Sequence, residues 1–464
     1  MTCLKKLITT TLCLYAGLFV FTAPTARSED VTAPASIAAD FKVEGKLRRN
    51  FDFWVRIYSE YDTQQALIHD SKYIDLVYEV LDFRANSQKR QHVMREAKRK
   101  WRELLISVHR KQAKPETFTQ EERRVFALFS GVDEPNKFLA AAHRKRLRVQ
   151  LGQKDRFLEG YIASGKYLPF MEDIFKLQGL PTELTRLPFV ESSFNLKARS
   201  KVGASGIWQF MRSTGRLYLK INVAVDERND PYRATEAAAN LLKDNYESLG
   251  AWPVAVTAYN HGRKGMMRAV RQVGTSNLES ITQSYRSRSF GFASSNFFVC
   301  LAAAIEVERN AAKYFGEVKR DQPVKFYEVP MDHPVSLREL KKYLKLDSAA
   351  VAELNPGLSS QAQAGSRDLP QGYRLRLPML AEANPESEAR IFLAGYQEIP
   401  TVKRRMRKLG LQPLGVSAPV APTVSAPAVS AVPVVPAQAV PGAPTNAESG
   451  AQIQPNCAKV GSCF

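Results

Sequence analysis

The chain has 464 residues, of which 44% are apolar and 10% aromatic, and it carries a formal net charge of +20. That length admits two or three domains with a sizeable buried core. So basic a balance suits nucleic acid, anionic lipid or a polyanionic wall, or it is carried on solvated helix faces. The usual nucleic-acid motifs, paired Cys/His ligands or an aromatic RNP pattern, are missing, and His and Cys cluster too little for a zinc site.

The first 28 residues read as a signal peptide. Lys5-Lys6 form a basic start, residues 7–21 an apolar run, and Ala23-Pro24-Thr25-Ala26-Arg27-Ser28 offers small residues for cleavage. A retained anchor is the competing reading, although the run is shorter than a normal membrane span. Cys13 follows Thr11-Leu12 rather than small residues, so it does not read as a lipid acceptor. Export to the periplasm or envelope follows. That setting would permit Cys457 and Cys463 to pair, a pairing their spacing alone leaves open.

Residues 29–165 read as a helical N-terminal region, irregular up to about residue 50. Val93, Ala97, Trp101, Leu104, Leu105 and Val108 recur at helical spacing between basic residues. Much of the positive charge lies here, as in Lys98-Arg99-Lys100 and Arg144-Lys145-Arg146. The run Phe53-Trp54-Val55-Arg56-Ile57-Tyr58 is too short and apolar for periodicity to separate strand from helix. Residues 166–315 form a second helical region. Asp230-Pro231 supplies a helix cap with Pro in the first turn, and a further apolar helix over residues 252–259 ends at Asn260 and Gly262. Cys300 sits in an apolar run and reads as a buried thiol.

Residues 324–329 read as a strand, 337–343 and 348–354 as helices, and 373–378 as a second strand. A helical or linker segment follows over residues 379–410. From 411 to 464 the chain reads as a disordered tail, with repeated Pro, Ala, Val and Ser through about residue 446.

The chemistry-bearing blocks are Leu187-Pro188-Phe189-Val190-Glu191-Ser192-Ser193-Phe194-Asn195, then Gly203-Ala204-Ser205-Gly206-Ile207-Trp208-Gln209-Phe210-Met211, then Ala258-Tyr259-Asn260-His261-Gly262. Glu191 stands alone in an apolar stretch, where desolvation keeps a carboxyl protonated near neutral pH. That state is what a general acid for glycosidic cleavage requires. Hydrolases normally use two carboxylates, but here one is convincing, since Asp230 reads as a cap and Asp226 lies well downstream.

In this order the blocks resemble the lysozyme-like domain of lytic murein transglycosylases, with flanking sequence most similar to the membrane-bound type D branch. The resemblance is strongest over residues 166–315 and does not reach the tail. It implies a mainly α fold, comprising a lysozyme-like helical catalytic domain, an N-terminal helical region and a small α+β LysM-like module over 323–378. The implied reaction cleaves the MurNAc-β-1,4-GlcNAc bond of peptidoglycan. The C6 hydroxyl of MurNAc acts as nucleophile, the N-acetyl group assists, and 1,6-anhydroMurNAc ends result. Glu191 is then general acid and base, Ser200 lies near the acetamido group, Gln209 and Met211 line the glycan groove, and Tyr259 holds Glu191. Gln209 offers a sugar amide both donor and acceptor. Trp208 replaces a frequent Met and His261 a frequent Ala or Cys; His261 reads as a surface histidine without a catalytic role.

No cofactor or metal is implied. Peptidoglycan strands are the implied partner; cell-wall or envelope proteins and peripheral membrane association stay open, and nucleic acid is not expected. A goose-type lysozyme or a non-catalytic wall-binding scaffold would use the same fold.

Overall fold

The computed structural model describes residues 39–85, 89–379 and 384–396. The signal segment, the tail and Cys457 and Cys463 lie outside the described residues. The chain is mainly helical, and among the described residues its apolar side chains gather in three cores.

The 3-10 turns at Ala39–Phe41 and Gly45–Leu47 lead into helix α1 (Arg48–Ser59). The ambiguous run is therefore helical. Phe53, Trp54, Ile57 and Tyr58 share one face at helical spacing, and all four are buried. Strands β1 (Gln65–Asp70) and β2 (Val77–Asp82) follow, then helices α2 (Arg90–Lys111), α3 (Gln120–Leu128) and α4 (Lys137–Ala141), and strand β3 (Leu147–Leu151).

Helices dominate residues 39–165, as expected, but the region also holds an antiparallel sheet in the order β2-β1-β3, which the sequence reading did not include. The β1–β3 register runs from Ala66 opposite Leu151 to Asp70 opposite Leu147. β1 is central and packed on both faces, so it lacks the apolar–polar alternation that marks a half-buried strand. Ala66 and Ile68 enter the core shared with α2, whereas Leu67 enters the larger helical core.

That helical core is built by α5 (Lys154–Ser164), α6 (Leu168–Leu177), α7 (Leu187–Glu191), α9 (Pro231–Leu249), α10 (Trp252–His261), α11 (Arg263–Val273), α12 (Leu278–Ser284), α13 (Phe292–Arg309) and α14 (Ala311–Phe315), with the short polar α8 (Arg212–Gly215) between α7 and α9 in the chain. Every residue from Phe297 to Ile305 on α13 is buried, including Cys300, which forms no disulfide among the described residues. A helix apolar on all sides belongs at a core centre, and α13 packs on α1, α7 and α10. Phe41, α1 and Phe157 of α5 also enter this core, so its apolar packing begins well before the boundary expected at residue 166.

The third core lies among β4 (Phe326–Pro330), α15 (Leu337–Tyr343), α16 (Ser348–Leu354), α17 (Ser360–Gln363), β5 (Arg374–Pro378) and α18 (Pro385–Tyr396). β4 and β5 pair antiparallel from Phe326 opposite Pro378 to Pro330 opposite Arg374. The strand–helix–helix–strand order read from the sequence is present, with the short α17 added before β5. Among the described residues no helix is long and apolar enough to cross a membrane.

Candidate active site

Glu191 is the last residue of α7, a helix whose five residues are all buried. Arg186, just before α7, fixes its approach by pairing with Glu172 of α6 and Glu308 of α13. Phe189 stacks on Phe157, with ring centroids 4.6 Å apart, and meets Phe194 edge-on at 4.7 Å. These contacts leave the Glu191 carboxyl in apolar surroundings, 5% exposed. Burial pushes it up to about 8, and no hydrogen bond or ion pair to it among the described residues opposes that shift.

The chain reverses immediately after Glu191. Ser193 (φ 51) and Phe194 (φ 55) both occupy the left-handed region, which is unfavourable for side chains of their size. Surrounding structure holds them there. The Ser192 hydroxyl donates to the Ile207 carbonyl at 2.8 Å, and α5 approaches so closely at Gly160 that a Cβ there would lie 2.7 Å from the Ser193 oxygen. The Glu191 turn is thereby clamped to the second block.

Gly206 explains the shape of that block. It has φ +78, and a Cβ would fall 1.8 Å from the Arg228 carbonyl oxygen. Arg228 closes the loop from the other side, donating to the carbonyls of Gly203 at 2.8 Å and Phe210 at 3.1 Å. Its own charge is answered by Asp226 at 2.8 Å. Sequence reading missed Arg228, because no local pattern marks an arginine that reaches back to two carbonyls.

Gln209 also sits in the left-handed region, at φ 49. Its side-chain nitrogen donates to the carbonyls of Ala198 at 3.1 Å and Gly206 at 2.6 Å. With both amide hydrogens engaged in the loop, Gln209 can offer a sugar only its oxygen, not the donor and acceptor expected. Ser200 is half-buried and its hydroxyl accepts from the Ala204 backbone at 2.8 Å, so it pins a turn. Met211 is half-buried at the start of α8. Trp208 is fully buried, donates to the Thr235 hydroxyl at 3.0 Å and stacks on Phe175.

Tyr259 projects from α10, with its ring parallel to Phe297 and edge-on to Phe210. Its hydroxyl donates to the Trp208 carbonyl at 2.8 Å. The structure thus joins Tyr259 to the Gln209 loop through the Trp208 carbonyl. His261, expected at the surface, is buried with 4% exposure. Gly265 makes room for it, since a Cβ there would lie 2.6 Å from the imidazole, and Phe290 meets the ring edge-on at 5.1 Å. Desolvation, and then the nearby charge of Arg268, hold His261 below its ordinary value.

The two downstream acids are committed elsewhere. Burial alone would raise the Asp226 carboxyl, but the hydrogen bond and charge of Arg228 outweigh it and hold it below the ordinary range. Asp230 accepts from the Tyr232 and Arg233 backbones and pairs with Arg376 at 2.7 Å.

Residues 171–281, which span the Glu191 turn, the Gly206 loop and α10, match the family model of the transglycosylase SLT domain. This stretch is similar to an SLT domain. Over 130 residues it is 35% identical to membrane-bound lytic murein transglycosylase D of Escherichia coli K12, covering 28% of this chain and 29% of that protein. The counterpart from Escherichia coli O6:H1 matches with the same identity and coverage. The chain thus spans under a third of the length of these relatives. A solved structure of an inactive mutant of the lytic transglycosylase Slt from Pseudomonas aeruginosa aligns at 16% identity with a TM-score of 0.27, covering 45% of this chain and 30% of that one.

Proposed function

We propose that the protein is an exported peptidoglycan lytic transglycosylase in which Glu191 is the sole acid and base. The observation that carries this reading is a buried carboxyl raised to about 8 by desolvation, while Asp226 and Asp230 are tied to cations. Protonated at neutral pH, Glu191 donates its proton to the glycosidic oxygen as the bond to C1 of MurNAc breaks. The resulting carboxylate then takes the proton of the C6 hydroxyl while O6 bonds to C1. Glu191 ends protonated, and no water is consumed.

Within this reading, residues 166–315 supply the catalytic centre, Gln209 presents its oxygen to a sugar amide, and Ser200 and Met211 flank the groove. Tyr259 positions the Trp208–Gln209 segment. Residues 323–378 form a LysM-like wall-binding module, and the protein works in the periplasm or envelope. A lone carboxyl favours internal transfer over hydrolysis, because C6–OH is held in the same ring as the anomeric carbon and bulk water lacks that advantage of effective concentration. Digestion of purified peptidoglycan in heavy-oxygen water should yield anhydromuropeptides without label at the new end. Labelled, reducing MurNAc ends would identify a goose-type lysozyme, and no release at all a wall-binding scaffold.

A further inference from the structure

A cleft of about 830 Å³ opens between the N-terminal sheet and the segment joining α12 to α13. Neither Glu191 nor Gln209 lines it. Its walls carry Lys98, Arg144, Lys145, Arg146, Arg148 and Arg286, and no carboxylate. Arg146 is neutralised from behind by Asp70 at 2.7 Å and Glu134 at 2.9 Å. Among the described residues the other five cations form no ion pair.

Arg148 is the inward member of this set. Its guanidinium lies 4.0 Å from the centre of the Phe292 ring, and its Nε is buried without a hydrogen-bond partner. Burial pushes Arg148 down, while desolvation and then the charges of Arg148 and Arg144 push Lys98 down. Like charges gathered in a partly dry cleft destabilise the fold unless an anion completes them. The opposite wall is aromatic, with Tyr285, Phe290 and Phe292. Tyr285 and Phe290 also pack on His261, and the Ser294 hydroxyl donates to Asn260 at 2.9 Å, so this wall is braced against the end of α10 that carries Tyr259.

A lone inorganic ion would occupy a small part of this volume and meet few of its cations. A chain bearing several carboxylates, with apolar groups between them, would answer both the charges and the aromatic wall. We propose that the cleft binds the carboxylate-bearing peptide side chains of peptidoglycan, a second attachment separate from the Glu191 turn. The inference rests on the peptidoglycan reading of the SLT domain.

The test is calorimetric titration of the full chain with the free stem peptide, which contains no glycosidic bond. The same peptide with its carboxylates amidated, and inorganic phosphate, serve as the other arms. The free peptide should bind, and more weakly as salt is raised. The Lys98→Gln/Arg144→Gln double variant and Arg148→Met, each with its fold verified by melting, should bind it about tenfold to a hundredfold more weakly, as expected for lost charge-assisted hydrogen bonds. Absence of binding, equal binding of the amidated peptide, unchanged affinity in the double variant, or displacement by an equal concentration of phosphate would each overturn the proposal. Because binding is measured without cleavage, failure here is distinct from failure of the transglycosylase reading, which appears in the product ends.

Discussion

Asp230 and Arg376 lie 146 residues apart in sequence yet meet at 2.7 Å, with side chains 1% and 0% exposed. One Asp230 oxygen caps α9 through the Tyr232 and Arg233 backbone groups, and the other accepts from Arg376 on β5. The guanidinium also lies over the Tyr232 ring at 4.2 Å. The β4–β5 core is thus anchored on the first turn of α9. A backbone bond from Asp226 to the Gly357 carbonyl at 2.7 Å extends the seam.

Replacing Arg376 by Ala should destabilise the protein by about 3–5 kcal/mol, because it leaves the Asp230 carboxylate buried and unpaired. The Arg376→Met/Asp230→Asn double variant should be more stable than the sum of its single changes predicts, since Asn retains capping ability and neither charge remains. Denaturant unfolding of the four proteins checks both statements. A loss below about 1 kcal/mol for Arg376→Ala would show that the pair does not hold the seam.

Glu191→Gln should abolish muropeptide release, a loss of several orders of magnitude for the sole acid and base, and should also change stability with a definite sign. The folded carboxyl is raised to about 8 from an ordinary 4.5, so between those values the native state binds more protons than the unfolded chain. Its contribution is full below the unfolded value and is lost as pH rises through the folded one. The Gln variant lacks that loss. Its stability relative to wild type should therefore rise by a few kcal/mol from pH 5 to pH 8, measured by chemical unfolding at each pH. Parallel profiles across that range would mean that Glu191 is not the desolvated acid inferred here. Activity of the wild-type protein should likewise fall above about pH 8, as the acid loses its proton.

What the sequence made legible was local. Asp230-Pro231 announced its helix because a cap and a Pro in the first turn act within three residues. Residues 337–343 and 348–354 carry their helical pattern within themselves. Glu191 stood out because its neighbours in sequence are also its neighbours in the core. The central strand β1 was hidden, since its two faces serve different cores and its apolar residues Ala66, Leu67 and Ile68 run consecutively instead of alternating. The burial of His261 depends on space left by Gly265, and the commitment of the Gln209 amide depends on how Gly206 turns beneath Arg228. Such relations arise only once separate segments close on one another, and no periodicity encodes them.

Tyr259→Phe separates a positioning role from a packing one. The variant keeps the ring contacts with Phe297 and Phe210 but deletes the hydroxyl that donates to the Trp208 carbonyl. Loss of one part-buried hydrogen bond should lower stability by about 1 kcal/mol. If that bond holds Gln209 in the left-handed conformation the groove needs, the larger effect should fall on turnover of a soluble glycan fragment. Loosening a preorganised group by a fraction of an ångström is enough to slow a reaction that depends on alignment. The expected result is a kcat reduced about tenfold or more with KM little changed, alongside a modest shift in melting temperature. A variant with the same small stability loss and wild-type kcat would reduce Tyr259 to a packing residue, and the loop would then owe its shape to Arg228 and Gly206.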